Sequence, residues 1–98
     1  MPIVVLLEFP GVSEAQYRQA CADIAGHPEG LHRRADWPVR GLLSHTAAPT
    51  EQGWLVVDVW ASQEAFEEFA ELLAPILRKD GFPPAVARSY RTFNLVMS

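Results

Sequence analysis

The sequence predicts an α+β fold in which two β-α-β units share one antiparallel sheet. Three observations carry that prediction. The stretch Gly53 to Phe69, GWLVVDVWASQEAFEEF, reads as a strand, a short break and a helix start. The chain opens at Ile3 with the same order, an apolar strand followed by a capped amphipathic helix. Extended segments before Gly53 and near the C-terminal end bring the count to four strands and two helices.

The first strand is read as Ile3 to Phe9. It is apolar on both sides except at Glu8, and Pro10-Gly11 ends it. Ser13 and Gln16 form a capping-box pair. Tyr17, Ala20, Cys21 and Ile24 then fall on one face of a helix running to about Ala25, which Gly26 closes. His27 to Pro38 is irregular, with two prolines, two histidines and Trp37. Loops of that length often carry function. A second strand is expected from near Val39 to Thr46. Ala47 to Gly53 then reads as a hairpin connection longer than the tightest turns. In the third strand Leu55, Val57 and Val59 point one way, and Trp54, Val56, Asp58 and Trp60 the other. Ser62 caps the second helix, Glu64 places negative charge in its first turn, and Phe66, Phe69, Ala70, Leu73 and Leu77 form its apolar stripe. Pro75 is expected to interrupt that helix and begin a separate turn through Lys79. Val86 to Val96 supplies the last strand.

The order β-α-β-β-α-β, with right-handed crossovers, gives a ferredoxin-like four-stranded antiparallel sheet with both helices on one face. Residues 1–98 form one domain. The first and third strands are apolar on both sides, so the face without helices needs a cover. A second copy packed sheet against sheet is the economical one, and a homodimer is expected. The net charge of -4 argues against a nucleic-acid partner. Arg33, Arg34 and Arg40 read as a solvated loop. The apolar run Ile3 to Leu7 is too short for a membrane span or a signal segment, so the expected compartment is the cytoplasm. The single cysteine, Cys21, reads as a buried thiol.

The run Trp60-Ala-Ser62-Gln-Glu64-Ala65-Phe66, followed by Phe69, resembles the W-x-S-x-E-A-F-x-x-F signature of the dimeric α+β barrel superfamily, the antibiotic-biosynthesis-monooxygenase-like proteins. His45 to Pro49 and Gly53-Trp54 resemble the hairpin of its small bacterial members. The resemblance implies a cofactor-free enzyme, monooxygenase or cyclase/isomerase in type, acting on a hydrophobic aromatic or polyketide-like molecule. It also covers haem-degrading enzymes, which carry an Asn on the first strand, a Trp on the second helix and a His ten residues on. Here Phe69 and Lys79 occupy the latter two positions and the first strand has no Asn, all against haem degradation. No cofactor or metal is expected.

His45, near the end of the second strand, is the candidate base for an acidic phenol or enol. The bland alternative is a histidine bonded to backbone. Trp54, Trp60, Asp58 and Phe69 are candidate pocket walls, with core packing the competing reading for the aromatics. Asp58 needs a partner, and Arg88 or Arg91 are the candidate donors. Tyr17 and Asn94 are candidate polar ligand contacts, along with Tyr90. His27, His32 and Asp36 match no zinc spacing. A non-catalytic binding module and a dimerisation scaffold remain the other two readings. A cavity above about 300 Å³ between sheet and helices, with His45 or Tyr17 turned in, separates enzyme or binder from scaffold.

Overall fold

A computed structural model describes residues 1–97 of the chain. Its elements are β1 (Ile3–Pro10), α1 (Glu14–Ala25), a 3-10 turn (Arg34–Asp36), β2 (Leu42–Thr50), β3 (Gly53–Trp60), α2 (Gln63–Lys79) and β4 (Val86–Arg91). The four strands form one antiparallel sheet in the order β2-β3-β1-β4. This is the ferredoxin-like arrangement.

The caps form as the local pattern requires. Ser13 Oγ accepts from Gln16 N and Gln16 Oε1 accepts from Ser13 N, both at 3.1 Å. Gly26 closes α1 in the left-handed region at φ 78°, its amide bonded to the Ala22 carbonyl. Ser62 Oγ accepts from Ala65 N at the start of α2. The inward row of β1, Ile3, Val5, Leu7 and Phe9, packs with Val56, Trp60, Leu42 and Phe69 in the core beneath the helices. Trp60 and Val5 are completely buried. Each such side chain contributes about 1.5–3 kcal/mol by leaving water.

Four sequence expectations are corrected. β2 begins at Leu42 rather than Val39, because residues 37–40 are bends. It also runs on to Thr50, so the β2–β3 connection is the two-residue turn Glu51-Gln52. Among the described residues no non-glycine takes a positive φ, so the turn lacks the Asn-Gly chemistry that marks tight hairpins in a sequence. The glycine that matters is Gly53. A Cβ there would collide with the Phe9 carbonyl oxygen, so only a bare backbone fits against the end of β1.

Pro75 lies inside a continuous α2 and does not interrupt it. Pro75 and Glu71, whose carbonyl the missing N–H would have met, are both exposed. The lost bond therefore falls on the solvent side, where water can take the free carbonyl. Finally, β4 ends at Arg91, not Val96. Arg91 pairs with Ile3, the first residue of β1, and after the Thr92 amide bonds the Pro2 carbonyl there is no partner strand left.

The reverse face of the sheet carries Val4 and Leu6 from β1, Leu55, Val57 and Val59 from β3, Ala48 from β2 and Tyr90 from β4. Beyond β4, Phe93, Val96 and Met97 are exposed. No helix among the described residues is long and apolar enough to cross a membrane.

Candidate functional site

The short hairpin puts His45 of β2 directly opposite Asp58 of β3. Both side chains lie on the helix-facing side of the sheet. His45 Nδ1 is 2.6 Å from Asp58 Oδ1. Asp58 is 2% exposed, so its charge depends on that contact. An ionised Asp58 only accepts, which places the ring proton on Nδ1 and leaves Nε2 as an acceptor. Nε2 faces the Tyr17 hydroxyl of α1 at 3.3 Å.

Aromatic packing holds this row of three groups. The Tyr17 ring stacks on Trp54 with centroids 4.8 Å apart and planes 23° apart. Trp37 meets the His45 ring edge-on at 4.9 Å. Burial pushes the Tyr17 phenol well above its ordinary range, reinforced by Cys21 beside it and then by the negative charge of Asp58. Tyr17 therefore keeps its proton and is the donor to His45. Burial also pushes the Cys21 thiol up, which disfavours the reactive thiolate.

Asp58 does not pair with Arg88 or Arg91. β4 lies beyond β1, two strands from β3. Arg88 is also opposite Leu6, on the reverse face. The partner comes instead from the neighbouring hairpin strand.

The space beside these groups is divided. Between sheet and helices lies a void of about 40 Å³, bounded by Tyr17, His45, Asp58, Phe69 and Leu73 among others. That is room for about one water. The space between the layers falls short of the cavity of about 300 Å³ that separates enzyme or binder from scaffold, because Trp37, Phe69 and Phe82 pack against the core there. A cleft of about 490 Å³ opens instead at the side of the layer. Tyr17, His45, Trp54 and Pro49 form one wall, and the loop around Pro28–His32 the other.

Of the expected site residues, Tyr17, His45 and Trp54 meet at this cleft, with Asp58 directly behind His45. Phe69 borders the small interior void. Trp60 is a core residue, 5.1 Å from the Phe69 ring and 6.2 Å from that of Phe66. Asn94 is exposed past the end of β4 and does not join the group. Sequence reasoning gave Trp37 no role against His45. Its large apolar ring in a polar loop was the only local hint of burial.

The loop that forms the far wall has its own anchor. Asp36 is buried and accepts from the amides of His32 and Arg33 and from His27 Nε2, each at 2.9 Å. The two amides, then His27, hold its carboxyl well down, at about 2. Asp36 is thus committed to donors of its own loop.

No family model matches the chain, and no curated protein does. Solved structures do. A candidate monooxygenase from Shewanella loihica PV-4 superposes with a TM-score of 0.59 at 16% identity, over 96% of each chain. SnoaB, a cofactor-independent oxygenase from Streptomyces nogalater, superposes in a variant form with a TM-score of 0.59 at 11% identity, over 99% of this chain and 96% of that one. A second SnoaB structure gives 0.57 at 12% identity. At such identities the likeness is one of fold.

Proposed function

We propose that this chain is a cofactor-independent enzyme of oxygenase or cyclase/isomerase type, acting on a hydrophobic aromatic or polyketide-like molecule. The observation that carries the reading is the Asp58–His45 pair, 2.6 Å apart, set in the wall of a 490 Å³ cleft beside Trp54 and Tyr17. An imidazole whose Nδ1 is held by a buried carboxylate and whose Nε2 accepts from the Tyr17 hydroxyl at the cleft is the arrangement a general base requires. The oxygenase fold shared with SnoaB supports the same reading. The one arginine on the cleft wall, Arg18, bonds Glu14 through its Nε at 2.8 Å, an exposed pair one helical turn apart.

In the mechanism, His45 is the final acceptor of an acidic proton from the ligand. The electron pair stays on the ligand as a delocalised carbanion. That anion either rearranges or reduces molecular oxygen. In the second case the carbanion adds to oxygen to give a peroxide anion, which takes the proton back from the imidazolium of His45. The remaining C–H bond on that carbon and the O–O bond then break, releasing water and leaving one oxygen atom in the product as a carbonyl. The ligand itself supplies the electrons.

A homodimer through the reverse sheet face belongs to this proposal. Its supports are the row Val4, Leu6, Leu55, Val57 and Val59 without a helix over it, and the exposed Phe93, Val96 and Met97. A lone unpaired cysteine fits a reducing compartment, and the cytoplasm is the one proposed.

The filled interior favours the dimerisation-scaffold reading by the cavity test, while the side cleft lined by Tyr17 and His45 keeps a binding module as the reading that competes with an enzyme. A cleft open to water does not shield a carbanion, and a non-catalytic binding module would need no such shield. Oxygen uptake with an anthrone-type phenol separates the two. The enzyme reading expects uptake that His45→Gln abolishes, because glutamine can still donate to Asp58 but cannot take a proton. Uptake unchanged in that variant removes His45 as the base.

A further inference from the structure

The outer nitrogen of His45 is not open to a ligand. Nδ1 is committed to Asp58, and the group in front of Nε2 is the Tyr17 hydroxyl at 3.3 Å. Tyr17 cannot easily swing aside. Its ring is stacked on Trp54 and its backbone is fixed near the start of α1, where its amide bonds the Ser13 carbonyl at 3.0 Å. Yet Tyr17 lines the cleft as His45 does. A proton leaving a ligand in the cleft therefore meets an oxygen already hydrogen-bonded to the base.

We propose that Tyr17 is a catalytic residue that meets the ligand and relays its proton to His45. The step balances simply. The acidic C–H or O–H bond of the ligand breaks as its proton passes to Tyr17 Oη. The existing Oη–H bond breaks as that proton passes to His45 Nε2. One proton has moved to the imidazole, the electron pair stays on the ligand, Tyr17 is again a phenol, and Asp58 faces the imidazolium. No oxidant enters this step. The inference rests on His45 as the base and adds the route to it.

The chemistry of the phenol supports a relay over a resting phenolate. Burial and the charge of Asp58 keep Tyr17 protonated, so it cannot serve as a base alone. It can gain a proton only while losing one, and the two transfers are concerted. The 3.3 Å spacing is longer than a strong hydrogen bond, as is common in unliganded sites that tighten around a ligand. The ligand class follows: a carbon acid or phenol whose acidic proton lies at the edge of a flat ring, within reach of one hydroxyl.

Anaerobic hydrogen–deuterium exchange at the acidic carbon of an anthrone-type probe tests the relay apart from any oxygen step. Tyr17→Phe keeps the ring and its stacking on Trp54 but loses the hydroxyl. Its exchange rate at saturating probe should fall about 100-fold, within the range for general acid–base groups, with KM little changed. The wild-type rate should curve with solvent deuterium fraction, as two protons in flight require. Exchange at the wild-type rate in Tyr17→Phe, with exchange lost in His45→Gln, overturns the relay and leaves the base standing. A raised KM with unchanged maximal rate also overturns it, since Tyr17 would then only bind. No exchange by the wild type removes the base reading and the relay with it. Should Tyr17→Phe fold poorly, 3-fluorotyrosine at position 17 makes the phenol more acidic at nearly constant shape. A rate that ignores this change refutes the relay.

Discussion

Removing the His45 side chain should cost far more stability than the loss of a half-buried residue suggests, because it strands Asp58. Asp58 is 2% exposed, and His45 provides the one side-chain hydrogen bond that reaches it among the described residues. Breaking a buried pair by deleting one partner typically costs about 3–5 kcal/mol. In a domain of 60–100 residues each kcal/mol is worth about 4–8 °C in Tm. His45→Ala should therefore melt at least about 12 °C below the wild type. The same truncation in an Asp58→Asn background leaves a neutral amide unpaired, at about 1–3 kcal/mol. The cavity left by the imidazole is the same in both backgrounds and cancels from the cycle. Urea unfolding of wild type, the two single variants and the double variant should give a coupling of about 2 kcal/mol. Additivity within about 0.5 kcal/mol would refute the argument, since it would mean that Asp58 is solvated or paired elsewhere.

Two further outcomes are expected. Asp36 titrates at about 2 in the folded chain, below the ordinary value of about 4, so the unfolded state takes up its proton first as pH falls. Its contribution is complete above pH of about 4 and is lost towards pH 2; Asp36→Asn should melt below the wild type at pH 6, with the gap closing over that window, and a gap constant with pH would contradict the assignment. Val57→Lys, in the middle of the uncovered sheet face, should convert a particle of twice 10.9 kDa into a single subunit in sedimentation, whereas a wild type that already sediments as one subunit removes the dimer.

Local pattern was enough for the element order and for most boundaries. The capping box at Ser13 and Gln16, the stop at Gly26 and the cap at Ser62 are satisfied within a few residues of chain, so short-range chemistry specifies them. The alternation in Trp54 to Trp60 likewise sorted the faces of β3 correctly, with Asp58 on the helix side. Pro75 failed as a local signal because its cost depends on whether the orphaned carbonyl is wet, and that is a property of the surroundings.

The site was legible in part. His45, Tyr17 and Trp54 stand out as polar or aromatic residues on otherwise apolar faces, and the fold gathers them at one cleft. Asn94 and Trp60 carry the same kind of signal and go elsewhere: one lies past the last partner strand, and the other is drawn into the core by Phe66 and Phe69.

Residue types and their spacing thus dictated strands, helices, caps and a sheet apolar on both faces. Which residue lies across from Asp58 depended on register, and register depends on the length of the hairpin turn. A one-residue slip would turn every side chain of β2 to the opposite face. Glu51-Gln52 has no signature that fixes the turn at two residues. The turn is met from outside the hairpin: the Gly11 amide bonds the Gln52 carbonyl at 2.7 Å, and Gly53 lies against the Phe9 carbonyl, 44 residues away in the chain. The two-residue turn sets the register that places His45 on Asp58, and the packing of α1 brings Tyr17 to His45.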